Sequence, residues 1–282
     1  MGIIDLHTHG LTGLDTQDAD PAAMLAIAQA HGLAGAAAVV LSLYSGPVDL
    51  MRARMSAVEA AMERPALPGA ARILGVHLEG PFLNPGACGA LDPASFIVPS
   101  EEAWRRLVEG HERAVLTVTV APELPGAPAL IRRIVKDGVR VAMGHSLATY
   151  AEAESGFLAG ASGITHIFNA MRPFHHREPG IAGFALLNGE VFVEFIGDLV
   201  HVHPKALELL FRMKNAGRLI LVSDSVRLTV PGGEGAAPVK AGLLLGGSMT
   251  VADAAARLIA VGFDARSVMQ AATESPAAYL GL

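Results

Sequence analysis

His7 and His9 lie two residues apart near the start of the chain, in the run Ile3 to His9. In an extended strand, side chains at i and i+2 leave the same face, so both imidazoles can reach one ion. Four further ionisable residues end or occupy short β-rich runs: Glu79 after Arg72, His145 after Arg140, His166 within Gly163 to Phe168, and Asp224 after Leu219. Imidazole with carboxylate is the donor mix that zinc and other divalent transition metals take, iron included. A lone histidine in such a place reads as a hydrogen-bonded core residue. Several buried charges converging without a partner would each cost several kcal/mol, so the set reads as a metal site. Two ions are favoured over one, with Glu79 as the bridge between an ion on His7 and His9 and another on His145 and His166.

A bound divalent cation lowers the pKa of water towards ~7, and hydrolysis then needs a carboxylate to move the proton. Asp224 is the candidate for that task. A carboxylated lysine bridge and a Schiff base are both excluded, because Lys136, Lys205, Lys214 and Lys240 end no predicted strand. Cys88 lies in a loop with no histidine near it in sequence, and Ser146 and Ser223 lack the glycines of a nucleophile elbow. His31, His77, His111 and His203 read as ordinary core or surface histidines.

The elements that must position these residues alternate in type. Strands are predicted at Ile3 to His9, Ala36 to Leu43, Arg72 to Glu79, Val115 to Ala121, Arg140 to His145, Gly163 to Phe168, Val191 to Gly197 and Leu219 to Asp224. Between them lie amphipathic stretches such as Ala22 to His31, Val48 to Glu63, Glu101 to Gly110, Ala127 to Lys136, Thr149 to Ala159 and Pro204 to Asn215. Eight such units without a linker predict a (β/α)8 barrel, which carries its chemistry at the carboxyl ends of its strands. A doubly wound sheet is the alternative, but Gly10-Leu11-Thr12-Gly13 is not its phosphate-binding turn. Pro231 to Gly247 reads as a loop over the barrel mouth, followed by two closing helices.

The 282 residues are 51% apolar and 17% charged, with 21 lysines and arginines against 27 acids and a formal net charge of −6. The scattered basic residues exclude a nucleic-acid footprint. Mean hydropathy is +0.42, yet no stretch reaches the ~18 uninterrupted apolar residues of a spanning helix. No membrane partner is expected. One cysteine suits a reducing compartment, and the amino terminus lacks the pattern of a signal peptide, so the expected location is cytoplasmic.

Longer strings carry a resemblance. Asp5-Leu6-His7-Thr8-His9-Gly10, Gly75-Val76-His77-Leu78-Glu79-Gly80-Pro81-Phe82, Val118 to Glu123, Gly144-His145-Ser146, Thr165 to Met171, His175-His176-Arg177-Glu178-Pro179-Gly180, His201-Val202-His203-Pro204 and Val222-Ser223-Asp224 follow in order along the chain. Together they resemble the amidohydrolase superfamily and, within it, the N-acetylglucosamine-6-phosphate deacetylases. The resemblance implies a metal-dependent hydrolase acting on an amino-sugar phosphate. It implies that Glu79, His145 and His166 hold the main ion, that Asp224 is the acid/base, and that His201 polarises the acetamide carbonyl. Asn169, the backbone of Ala170, and Arg177 would receive the phosphate, with Ala90 at the sugar.

The same resemblance implies a homodimer in which Arg177 serves the neighbouring site, and it makes 1–282 a single barrel without the family's β-sandwich. Ile3, Ile4 and Tyr279 to Leu282 are then expected to need cover from a second copy. Gly89-Ala90-Leu91 stands where the family has Gly-x-His, and Leu147 where an Asn is common. Alternatives are an amidohydrolase for another N-acyl sugar, a cyclic amide or a dipeptide, and a non-catalytic sugar-phosphate-binding relative.

Overall fold

Short runs of branched and aliphatic residues, bounded by glycine, proline or charge, form the strands of a computed structural model that describes residues 2–233, 237–240 and 242–282. β1 (Ile3–Thr8), β2 (Ala36–Tyr44), β3 (Arg72–Glu79), β4 (Val115–Val120), β5 (Arg140–Met143), β6 (Gly163–Ile164), β7 (Phe192–Ile196) and β8 (Leu219–Val222) pair in parallel in chain order. The helices α1 (Pro21–Leu33), α2 (Val48–Met62), α3 (Glu101–Val108), α4 (Ala127–Lys136), α5 (Tyr150–Leu158), α6 (Gly180–Leu187) and α7 (Pro204–Met213) each follow one strand. α8 (Val251–Ala260), α9 (Ala265–Ala272) and α10 (Glu274–Leu280) follow β8. The architecture is the (β/α)8 barrel.

Strand alternation divides the core. Val39, Leu41 and Leu43 of β2 pack with Met24 and Ile27 of α1 in an outer layer, while Ile4, Leu6, Val40, Phe192, Ile220, Val222 and Tyr279 form an inner cluster. Asp5 pairs with Val39 and Thr8 with Leu41, so three residues of β1 advance against two of β2. That irregularity is a bulge. It keeps Leu6 in the floor while turning His7 and His9 to the space above.

β8 returns to β1 at its carboxyl end. Asp224 N donates to His7 O at 2.8 Å, and His9 N donates to Ser225 O at 2.8 Å. Beneath these bonds the buried Asp5 accepts from Ser223 N at 3.2 Å, from Ser223 Oγ at 2.5 Å and from His7 N at 3.2 Å. Burial still pushes the Asp5 carboxyl up to about 6 against those donors.

Several elements differ from the sequence-based expectation. β5, β6 and β8 stop at Met143, Ile164 and Val222 rather than at His145, Phe168 and Asp224. His145, His166 and Asp224 have φ of +47°, +25° and +47°, a left-handed backbone that cannot continue a strand. Three helices rather than two close the chain, because Thr273 at φ −129° and ψ −70° separates α9 from α10. α6 opens on Gly180 and holds Gly183, and it is not among the amphipathic stretches named from the sequence. Ile4 and Tyr279, expected to need outside cover, are 6% and 2% exposed in the floor. Within 231–247, Val239–Lys240 pairs antiparallel with Leu243–Leu244; residues 234–236 and 241 lie outside the described residues. Among the described residues no helix is long and apolar enough to cross a membrane.

The mouth segment returns to the barrel at Gly247, whose N donates to Asp224 O at 2.7 Å. A Cβ at Gly247 would lie 1.8 Å from Ser223 O. This is backbone and cannot swing away. Gly247→Ala is therefore expected to destabilise the chain by about 2 kcal/mol or more. Thermal unfolding checks it, and a melting temperature equal to that of the parent chain would contradict the assigned contact.

Candidate metal centre and active-site cleft

Glu79, the last residue of β3, is the hub. Its Oε1 lies 3.1 Å from His145 Nε2, 3.1 Å from His166 Nε2 and 3.4 Å from His7 Nε2, while Oε2 lies 3.1 Å from His9 Nε2. His7 Nε2 is 3.2 Å from His9 Nε2, and His145 Nε2 is 3.2 Å from His166 Nε2. Asp224 Oδ1 stands 3.4 Å from His7 Nε2 and 3.6 Å from His9 Nε2. The six residues therefore meet as two groups that could each hold a metal ion: His7, His9 and Asp224, and Glu79, His145 and His166.

Hydrogen bonds on the far sides of the rings support that reading. His145 Nδ1 lies 3.0 Å from Ala87 O, so it donates there, and the Nε2 of the neutral ring then aims a lone pair at Glu79. His7 Nδ1 lies 3.3 Å from Glu194 Oε2, with the same consequence. Lone pairs facing a carboxylate need a cation between them, and a divalent metal ion fits this donor set. His9 Nδ1 and His166 Nδ1 are buried without a partner among the described residues, so nothing on that side fixes either tautomer.

The electrostatics point the same way. Burial opposes a charge on His7, but Asp224, Glu194 and Glu79 outweigh it and push its pKa well up. His166 moves up against burial for the same reason, through Glu79 and Asp224. Burial would raise Glu79, yet His145, His166 and His7 hold it well below the usual carboxylate range. Carboxylates that stay ionised beside imidazoles and favour a positive charge on His7 and His166 favour a metal ion there in competition with protons. One layer below, His77 bonds Ser42 Oγ and Thr119 Oγ1, each at 2.9 Å. Burial and the neighbouring His7 push His77 well down, as suits a satisfied core residue.

The cluster opens into a cavity of about 930 Å³. His201, Asn169, Ala170 and Ala90 line it together with Glu79, His9, His145, His166 and Asp224. Arg177 is elsewhere. It is exposed on the loop after β6, with its side chain 3.1 Å from His176 Nε2, and does not line the cavity of its own chain.

Three acids to which the sequence reading gave no role complete the arrangement. Asp198, just past β7, is 2.8 Å from His201 Nδ1 through Oδ2, which also accepts from Ser248 N and Oγ. Burial would raise Asp198, but His201 holds it far below its ordinary range. Glu194 of β7 orients His7. Glu123 accepts from Asn84 Nδ2, Ser146 Oγ and Leu147 N, which fastens the loop after His145. Glu194 had a signal, being an acid inside the apolar run Val191 to Gly197, and Asp198 had one in its place three residues before His201.

No protein-family model matches the chain. An N-acetylglucosamine-6-phosphate deacetylase of Bacillus subtilis is 38% identical over 231 residues, 80% of this chain and 57% of its own length. One of Bos taurus is 32% identical over 308 residues, covering 100% of this chain and 74% of that protein. A solved structure of a substituted N-acetyl-D-glucosamine-6-phosphate deacetylase from Mycobacterium smegmatis, in complex with N-acetyl-D-glucosamine-6-phosphate, matches 100% of this chain and 77% of that one. Its TM-score is 0.88 at 30% identity. The chain spans 57–58% of the length of the first curated relatives it matches. With a relative above 30% identity covered to nearly three quarters, and the same barrel throughout, the chain belongs to the N-acetylglucosamine-6-phosphate deacetylase family.

Proposed function

We propose that this chain is a metal-dependent amide hydrolase that converts N-acetylglucosamine 6-phosphate to glucosamine 6-phosphate and acetate. The observation that carries the reading is four imidazole Nε2 atoms gathered on Glu79, with Asp224 beside them, at the base of an open cleft. The family's named substrate supports the choice of sugar. Residues 1–282 act as one barrel unit in this reading, in the cytoplasm.

Glu79, His145 and His166 would hold one divalent cation, and His7, His9 and Asp224 a second; zinc suits these donors. Such a cation supplies Lewis-acid polarisation of the amide carbonyl and a more acidic water. Asp224 takes a proton from the attacking water as the C–O bond forms, then delivers it to the amine as the C–N bond breaks. His201, held by Asp198, donates a hydrogen bond to the oxygen that gains charge. Asn169 and the backbone of Ala170 lie on the cleft wall where a sugar phosphate can be received, and Ala90 adjoins the sugar. Arg177, turned outward, is offered to a second copy in a homodimer, where its planar fork suits phosphate.

Turnover with added zinc over a panel of N-acetylated amino sugars tests the activity, each with and without the 6-phosphate and in gluco and galacto forms. The 6-phosphates are expected to be cleaved and cyclic amides and dipeptides not. Absence of turnover on every amino sugar would refute the activity. Glu79→Gln should remove most bound metal and abolish turnover, because it deletes the carboxylate charge that all four imidazoles face. Elemental analysis checks it, and unchanged metal content would refute the site.

Asp224→Asn is expected to fold and to lower kcat by ~10²-fold or more, since an amide cannot carry the proton. A variant with the parent kcat would move the base elsewhere. Mixing Arg177→Ala subunits with Asp224→Asn subunits should restore activity, because a mixed dimer has one site complete in both residues. Confirmed subunit exchange without recovery would rule out a shared site.

A further inference from the structure

α2 turns Met51, Met55 and Val58 into the outer core and Arg54 towards the cleft, where Arg54 lines the wall beside Tyr44 and Gly46. Arg54 is only 6% exposed. Its Nε is buried without a hydrogen-bond partner among the described residues. Arginine cannot shed its charge by deprotonation, and its five donors are set in a rigid fork. Burial disfavours the charge, and Asp15 and Asp18 offset it only through space.

The nearby acids do not supply an acceptor. Arg227 holds both of them, with Nε 3.2 Å from Asp15 Oδ2 and Nη2 3.2 Å from Asp18 Oδ1, and Asp15 Oδ1 accepts from Gln17 N. Tyr44 connects the region to the reaction centre, since its ring stacks on that of His9 with centroids 3.8 Å apart. In the strand order of the barrel, β1 and β2 lie across from β5 and β6. Arg54 therefore stands on the opposite rim of the cleft from Asn169 and Ala170.

We propose that Arg54 is the centre of a second oxyanion subsite, and that the molecule hydrolysed here presents a carboxylate or phosphate to the β1–β2 rim. The planar fork pairs with either group through two parallel hydrogen bonds. The group belongs either to an acidic N-acyl chain or to an acidic substituent of the sugar. The substrate half of this proposal rests on the amide-hydrolase reading above; the subsite does not.

The test uses the zinc-loaded full chain and measures the affinities of inorganic phosphate and of succinate by calorimetry. Arg54→Met should weaken at least one of these anions tenfold or more, and Arg54→Lys, which keeps the charge but not the fork, should weaken it less. Melting temperature separates this role from a structural one. Because Arg54→Met removes a charge that makes no hydrogen bond among the described residues while keeping an apolar stem, it should melt close to the parent temperature. Unchanged affinity for both anions would overturn the subsite, as would an Arg54→Met chain melting several degrees lower.

Hydrolysis then identifies the source of the anion, by comparing N-acetylglucosamine, its 6-phosphate and an N-succinyl amino sugar. The substrate that carries the recognised group should lose kcat/KM tenfold or more in Arg54→Met, and the others should change little. If no substrate discriminates between the two chains, the substrate half falls. If the anions bind through Arg54 but no amide is cleaved, the hydrolase reading fails and the subsite stands.

Discussion

One buried carboxylate sets the terms for the rest of the molecule. Glu79 is 4% exposed and has four imidazole nitrogens within 3.1 to 3.4 Å of its oxygens. Those side chains arrive from β1 and from the segments after β5 and β6, so their convergence depends on where each strand stops. Regular strand ends do not achieve it. His145, His166 and Asp224 adopt positive φ, and a non-glycine residue so placed costs of order 1 kcal/mol or more. The barrel tolerates that strain because the surrounding hydrogen bonds leave these residues no other path. Asn84 N donates to His145 O, Asp224 N to His7 O, and Gly247 N to Asp224 O.

The junction of the last strand with the first is the second constraint. A barrel of eight strands closes only if β8 meets β1, and here the meeting place is also where His7, His9 and Asp224 must sit together. Asp5 binds Ser223, the residue before Asp224, and the backbone of His7. Thr8 Oγ1 bonds Ser225 Oγ at 2.8 Å and His31 Nε2 at 2.9 Å, which carries the tie outward to α1. Burial pushes His31 down to about 4, so it serves as a neutral hydrogen-bonding residue rather than a charge. Fold closure and the spacing of two candidate ligands are thus a single set of bonds.

Much of this was legible in the sequence because it depends on period and order. The convergence of His7 and His9 survives the bulge between Asp5 and Thr8, since their Nε2 atoms still lie 3.2 Å apart. Glu79 ends its strand as its pattern predicts. His145, His166 and Asp224 could be assigned to strand ends, but not their departure from the sheet, which reflects packing around a centre rather than local propensity. Asp5, Glu194 and Asp198 touch site residues only across the fold or around a turn, and no period marks such contacts. Tyr279 was hidden for a similar reason. Its ring reaches the floor beside Phe192 and Thr117 from a closing helix.

β7 supplies none of the six candidate ligand residues and yet supports both sides of the centre. Glu194, on the strand, backs His7, and Asp198, two residues beyond it, backs His201. The two acids differ in depth. Glu194 lies inside the barrel, where its charge steadies a ring whose other nitrogen faces the cluster. Asp198 lies at the rim, bonded through Oδ2 to Ser248 from the segment that follows β8, and so ties His201 to the mouth. A carboxylate accepts hydrogen bonds in the plane of its two oxygens, and each acid therefore fixes ring orientation as well as charge. A strand without a ligand in this way keeps two rings aimed, and its apolar residues Phe192, Val193, Phe195 and Ile196 are buried to hold it in place.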